Sequence, residues 1–159
     1  GKESWSKFNP RVNVSWQIDD SKLAYLTYSE GFRSGGFNGR ASAADTLGPY
    51  EPESVESFEL GFKSQWLDNR FRMNLTAFST DYLDKQEDVV FPDPALGTVT
   101  LVQNAASATI RGAEVELLAI PTEGLTLGLN LGFLDAKYDE WRVPGLTGGT
   151  VDKSGLELR

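Results

Sequence analysis

Residues 57–66 read SFELGFKSQW, and their alternation decides the architecture. Phe58, Leu60, Phe62 and Trp66 occupy one parity, while Glu59, Lys63 and Gln65 occupy the other. Period two is the repeat of a β-strand, whose side chains point by turns to two faces. This stretch therefore reads as a strand with one apolar and one polar face.

Five further segments carry the same pattern. Val12, Val14, Trp16 and Ile18 oppose Arg11, Asn13, Ser15 and Gln17; a turn at Asp19-Asp20-Ser21-Lys22 then leads from Leu23 into Ala24, Leu26 and Tyr28. After a turn at Asp68-Asn69, Phe71, Met73, Leu75 and Ala77 oppose Arg72, Asn74 and Thr76, and the strand fades into an acidic segment from Asp81 to Asp88. Ala113, Val115 and Leu117 oppose Glu114 and Glu116 up to Pro121-Thr122-Glu123-Gly124. Leu125, Leu127, Leu129, Leu131 and Phe133 oppose Thr126, Gly128, Asn130 and Gly132. A two-residue turn at Asp68-Asn69 sets Trp66 opposite Phe71 and Phe62 opposite Leu75.

The connections fall into two classes. Short turns recur near residues 20, 69 and 122, whereas residues 33–52, 84–99 and 137–155 read as long connections rich in Gly, Pro, Ala or Ser. Short turns at one end and long loops at the other, with aromatics such as Trp16, Tyr28, Trp66, Phe71 and Phe133 toward strand ends, describe an up-and-down transmembrane β-barrel wall. The alternative is a soluble β-sandwich binding module, for example for carbohydrate, with the apolar faces paired inward.

Composition removes other classes. The formal net charge of −8 leaves no basic surface for nucleic acid. The chain has no Cys and no His, so thiolate metal sites, triad chemistry and the usual zinc ligands have no reagents; nucleophile, base and orienting group do not assemble, and the chain does not read as an enzyme. No cofactor or resident metal is indicated. No run of about 18 apolar residues is present, which excludes a spanning helix but not a spanning strand. The beginning Gly1-Lys2-Glu3 and the ending Leu156-Glu157-Leu158-Arg159 suggest a piece of a longer protein.

Three strings carry a resemblance: YLTYSEGFRSGGFNGR at 25–40, YEPESVESFELGFKSQWLDNRFRMNLTAFSTDYLDKQ at 50–86, and VQNAASATIRGAEVELLAIPTEGLTLGLNLGFLDAKYDEW at 102–141. In sequence, order and spacing they resemble the β-barrel of TonB-dependent outer-membrane receptors. The resemblance implies that residues 1–159 are a partial barrel, some six strands of one with about 22 antiparallel strands. It implies a plug domain and further strands outside this sequence. The implied function is uptake of a scarce nutrient, foremost a ferric siderophore or other iron complex, energised through the TonB complex. The implied surroundings are outer-membrane lipid.

Candidate site residues follow in two groups. Phe32, Arg33, Phe37, Asn38 and Arg40 open the Gly-rich first connection, where guanidinium and aromatic faces suit an anionic or aromatic ligand. The plainer reading is a strand end whose Arg residues meet lipid phosphates. Glu59, Lys63, Arg72, Glu114 and Glu116 are expected to face the lumen beside the plug, the Glu residues opposite Arg or Lys. Glu114 and Glu116, about 7 Å apart along one strand, do not flank a substrate from separate elements as a glycosidase pair does. Asp81, Asp84, Glu87 and Asp88 lack the spacing of a calcium loop and read as a solvated strand extension. Gly61, Gly112, Gly128 and Gly132 fall within strands, where they admit close approach or relieve curvature.

Overall fold

The structure, a computed structural model, describes residues 2–39, 48–93, 97–145 and 149–158. Nine strands are present among them: β1 (Arg11–Asp19), β2 (Lys22–Arg33), β3 (Gly36–Phe37), β4 (Pro49–Tyr50), β5 (Glu53–Trp66), β6 (Phe71–Asp93), β7 (Gly97–Thr122), β8 (Leu125–Pro144) and β9 (Thr150–Asp152). Seven form one sheet in the order β1-β2-β5-β6-β7-β8-β9, and β3 pairs with β4. Every neighbouring pair is antiparallel, which makes the main sheet an up-and-down meander.

The register joins the alternating segments into continuous rows. Val14, Leu26, Leu60, Ala77, Ala113 and Phe133 lie side by side, and so do Trp16, Ala24, Phe62, Leu75, Val115 and Leu131. This apolar face is bare: Val14 is 62%, Leu60 60% and Phe133 68% exposed. A sandwich needs the reverse, with those side chains shut against a second sheet, so the soluble alternative is not the arrangement adopted. An apolar face this broad is stable against lipid, where burial is supplied by the bilayer and not by a protein core.

The expected pairs Trp66 with Phe71 and Phe62 with Leu75 are present. Between them the Arg70 N–H donates to the Leu67 carbonyl at 3.1 Å, and the two central residues Asp68 and Asn69 have φ of 53° and 65°, preceded by Leu67 at 56°. Positive φ at both central positions is the feature of a type I′ hairpin, whose twist matches its strands. Arg70 also donates to the carbonyls of Ile120 and Pro121, tying this turn to the one at Glu123-Gly124.

The strands run further than their hydrophobic pattern does. Most of the connection expected at 84–99 is paired strand, with residues 94–96 outside the described residues: β6 and β7 stay paired from Phe71–Ala119 to Asp93–Gly97, with a bulge between Tyr82 and Lys85 where Asp84 takes φ 52°. Likewise β8 continues to Pro144 and pairs with β9 through Arg142, Val143 and Pro144, which adds a seventh strand to the six expected. Past the lipid no face has to be apolar, so alternation disappears while backbone pairing continues. The compact buried cluster lies up here, with Ala106, Ala108 and Tyr138 packed by Tyr82, Trp141 and Leu158.

Candidate functional site

The polar parity forms one face opposite the apolar rows. Asn13, Thr27, Glu59, Phe78, Gly112 and Leu134 make one row; Ser15, Tyr25, Gly61, Thr76, Glu114 and Gly132 the next; Gln17, Leu23, Lys63, Asn74, Glu116 and Asn130 the third. Arg72 follows, between Gln65 and Leu118. All five expected polar-face residues are thus brought onto one surface.

Their partners are hydrogen-bonding groups more than opposite charges. The Tyr25 hydroxyl donates to Glu59 Oε1 at 2.8 Å, and Asn74 Nδ2 donates to Glu116 Oε2 at 3.0 Å. Lys63 Nζ stands 5.6 Å from the Tyr25 ring centroid, within cation–π range. The expectation that Glu114 and Glu116 sit against Arg or Lys is therefore corrected. Among the described residues the ion pairs occur elsewhere, as at Lys22–Asp19 and Lys85–Glu87. Glu114 faces Thr76 and Gly132, while a hydroxyl and an amide serve Glu59 and Glu116 without fixing a long cationic side chain.

The glycines divide into two kinds. A Cβ on Gly61 would meet the Tyr25 ring at 2.0 Å, and one on Gly112 would meet the Phe78 ring at 2.4 Å. These two positions admit aromatic rings lying across the backbone. Gly132 has nothing within 4 Å of such a Cβ, so its place on the polar face is open.

At the other end, the first connection separates its candidates. Phe32 and Arg33 are consecutive in β2, so they point to opposite faces; Phe32 shares the apolar parity with Leu26 and Tyr28, and Arg33 the polar one. Phe37 is exposed, its ring 6.4 Å from that of Trp5. Asn38 is committed to the backbone: its Nδ2 donates to the Val102 carbonyl at 3.1 Å and its Oδ1 accepts from the Val102 N–H at 2.8 Å. Arg40 lies outside the described residues. The acidic segment does not converge on a point: Asp81 accepts from Thr109, and Glu87 accepts from both Lys85 and Tyr138.

Sequence reading missed Gln86 and Asn104, which face each other in β6 and β7 and fasten Ser34, Glu51 and Glu53. Gln86 Nε2 donates to the carbonyls of Ser34 at 3.0 Å and Glu51 at 3.1 Å, while the Gln86 N–H donates to Glu53 Oε2 at 2.8 Å. Asn104 Nδ2 donates to the Glu51 and Asp84 carbonyls, and Asn104 Oδ1 accepts from the Glu51 N–H at 2.7 Å. The one chemical hint is Asn104, since Asn is depleted in strands; its facing of Gln86 is not readable from the sequence. Asp84, Asn104, Ser107, Glu140 and Arg142 also line a cleft of 540 Å³ between the hairpin and β8.

Comparison with known proteins agrees with this geometry. The family model described as TonB dependent receptor-like, beta-barrel, matches residues 1–157. The metal-pseudopaline receptor CntO of Pseudomonas aeruginosa is 27% identical over 128 residues, covering 80% of this chain and 16% of the relative. The ferripyoverdine receptor of Pseudomonas aeruginosa is 25% identical over 113 residues, covering 70% and 14%. The chain thus spans about a sixth of the length of the curated relatives it matches. Among solved structures, the ferric yersiniabactin uptake receptor FyuA from Yersinia pestis superposes with a TM-score of 0.62 at 19% identity, over 80% of this chain and 18% of that one. That likeness is one of fold.

Proposed function

The chain belongs to the TonB-dependent receptor β-barrel family, and on that premise we propose that it is part of a receptor for energised uptake of a ferric siderophore or similar metal chelate. The observation that carries the reading is the bare apolar face spanning β1 to β8, backed by a face of hydroxyls, amides and scattered charges. A wall between lipid and a wet interior has this cross-section. In that placement Glu59, Lys63, Arg72, Glu114 and Glu116 line the lumen, and the partial barrel 1–159 is completed by further strands and a plug.

The relatives named for pseudopaline, pyoverdine and yersiniabactin support a chelate as the ligand, and the family supports TonB as the partner that supplies energy. Of the candidate contacts, Arg33 and Phe37 are the ones we retain. Arg33 is an exposed guanidinium on the polar parity, and Phe37 stands by Trp5 at the same end. The test is uptake of radiolabelled iron by iron-starved source cells supplied with their own siderophores. Loss of uptake on deleting the gene, and again on removing TonB, is expected. Unchanged uptake in the deletion strain would reject iron chelates as the cargo.

A further inference from the structure

We propose that Gln86, with Asn104 and Asn38, is a positioning residue that locks residues 34–38, which leave β2, and residues 51–53, which enter β5, to the paired strands β6 and β7, so that these segments move as one body. The inference rests on the family assignment and is independent of which ligand is carried. Gln86 is buried, and both hydrogens of its carboxamide are used, one on Ser34 as the chain leaves β2 and one on Glu51 as it returns to β5. A single side chain thereby bridges the outgoing and incoming limbs.

Asn104, opposite Gln86, takes both backbone groups of Glu51, and Asn38 takes both backbone groups of Val102. Each amide imitates a strand neighbour: one donor and one acceptor matched to one N–H and one C=O. Aliphatic or charged side chains cannot do this, since a carboxylate offers no donor and an ammonium no acceptor. The limb carrying Phe37 is thus fixed at Ser34 and, through Asn38, at a point on β7 two residues from Asn104, and the returning limb is fixed at Glu51. A contact felt at Arg33 or Phe37 is transmitted to the hairpin, and the reverse.

Hydrogen exchange at single residues in the full-length receptor tests this, because two amides report on the lock directly: Glu51 N–H, held by Asn104, and Val102 N–H, held by Asn38. Gln86→Met keeps the size of the side chain and touches neither amide. We expect exchange at both Glu51 and Val102 to rise together, roughly tenfold, with amides of β1 and β2 unchanged. Asn104→Ala, read at Val102 alone, gives a second measure and should accelerate it likewise. If Val102 exchanges at the original rate in both variants, the contacts are independent and the single-body proposal fails. A variant that does not assemble is recognised by loss of its heat-dependent mobility shift, and the other variant then decides.

Discussion

The ring of Tyr25 lies across Gly61, so close that a Cβ at residue 61 would stand 2.0 Å from it. Tyr25 and Gly61 face each other in β2 and β5, and the Tyr25 hydroxyl reaches Glu59. Gly61→Ala has to push the ring off its seat, at a cost of about 1–3 kcal/mol. In a Tyr25→Ala background the obstacle is gone, and the same change should cost less than about 0.5 kcal/mol. A double-mutant cycle by urea unfolding of the full-length receptor in lipid gives the coupling; additive costs would mean that the ring does not hold this position.

The two parities should respond differently to charge. Leu60 and Leu129 belong to the bare apolar face, whereas Asn130 pairs with Glu116 on the polar one. Arg at Leu60 or Leu129 is expected to cost about 2–4 kcal/mol near the bilayer midplane, and Arg at Asn130 far less. Folding titrations into lipid vesicles measure both, and equal costs would reverse or cancel the assigned orientation.

That parity is also what was legible beforehand. Wherever lipid requires one apolar face, as at Phe58 to Trp66 or Leu125 to Phe133, the sequence states strand and face, and across the Asp68-Asn69 turn even the cross-strand partner. Above that zone it gives little beyond a strand extension at Asp81 to Asp88. Val89 is buried opposite Leu101 inside what reads as a Pro-rich loop, since neither Pro92 nor the acidic residues near it betray a paired backbone. The site was half visible for the same reason. The polar rows follow from alternation, but the bonds of Gln86 and Asn104 join segments 35 and 53 residues apart, and no local pattern encodes them.

The turn between β5 and β6 depends on left-handed backbone at Asp68 and Asn69, with φ of 53° and 65°. Asn tolerates that region and Gly prefers it, whereas a β-branched residue does not. Asn69→Val should destabilise by about 1–2 kcal/mol, and Asn69→Gly should be neutral or slightly stabilising. Unfolding midpoints of the two variants check the order; a tolerated Val would exclude this turn geometry.

Asp152, on β9 beyond the apolar rows, accepts from the Ser154 N–H at 2.9 Å and lies 3.7 Å from Arg142 Nε. Ser154, and then Arg142, hold its carboxyl below the ordinary 3.8. A lowered folded-state pKa means that the stabilisation is complete above 3.8 and is lost as pH falls through the depressed value. Exchange at the Ser154 amide, corrected for its intrinsic pH dependence, should therefore rise only below the ordinary carboxylate range. Asp152→Asn should abolish that dependence; a transition at or above 3.8 would show that Asp152 is not held in this way.

The Tyr138 hydroxyl links β8 to the upper part of β6, donating to Glu87 Oε1 at 2.7 Å. The ring is buried against Ala106 and Ala108 and stacks on Trp141 at 4.4 Å. Tyr138→Phe keeps that packing and removes only the donor. Glu87 retains Lys85, whose ammonium also lies 5.8 Å from the Tyr138 ring, so no carboxylate is left unpaired. The expected cost is then the net worth of a hydrogen bond to a charged group, about 1.5–3 kcal/mol, confined to local opening of the hairpin. Tyr138→Ala removes the ring as well and should cost about 3–5 kcal/mol, in the range of an emptied aromatic core position. Amide exchange across 97–106, compared with β1, separates the two; an equal effect of both variants would place all of the stabilisation in the hydroxyl and none in the cluster.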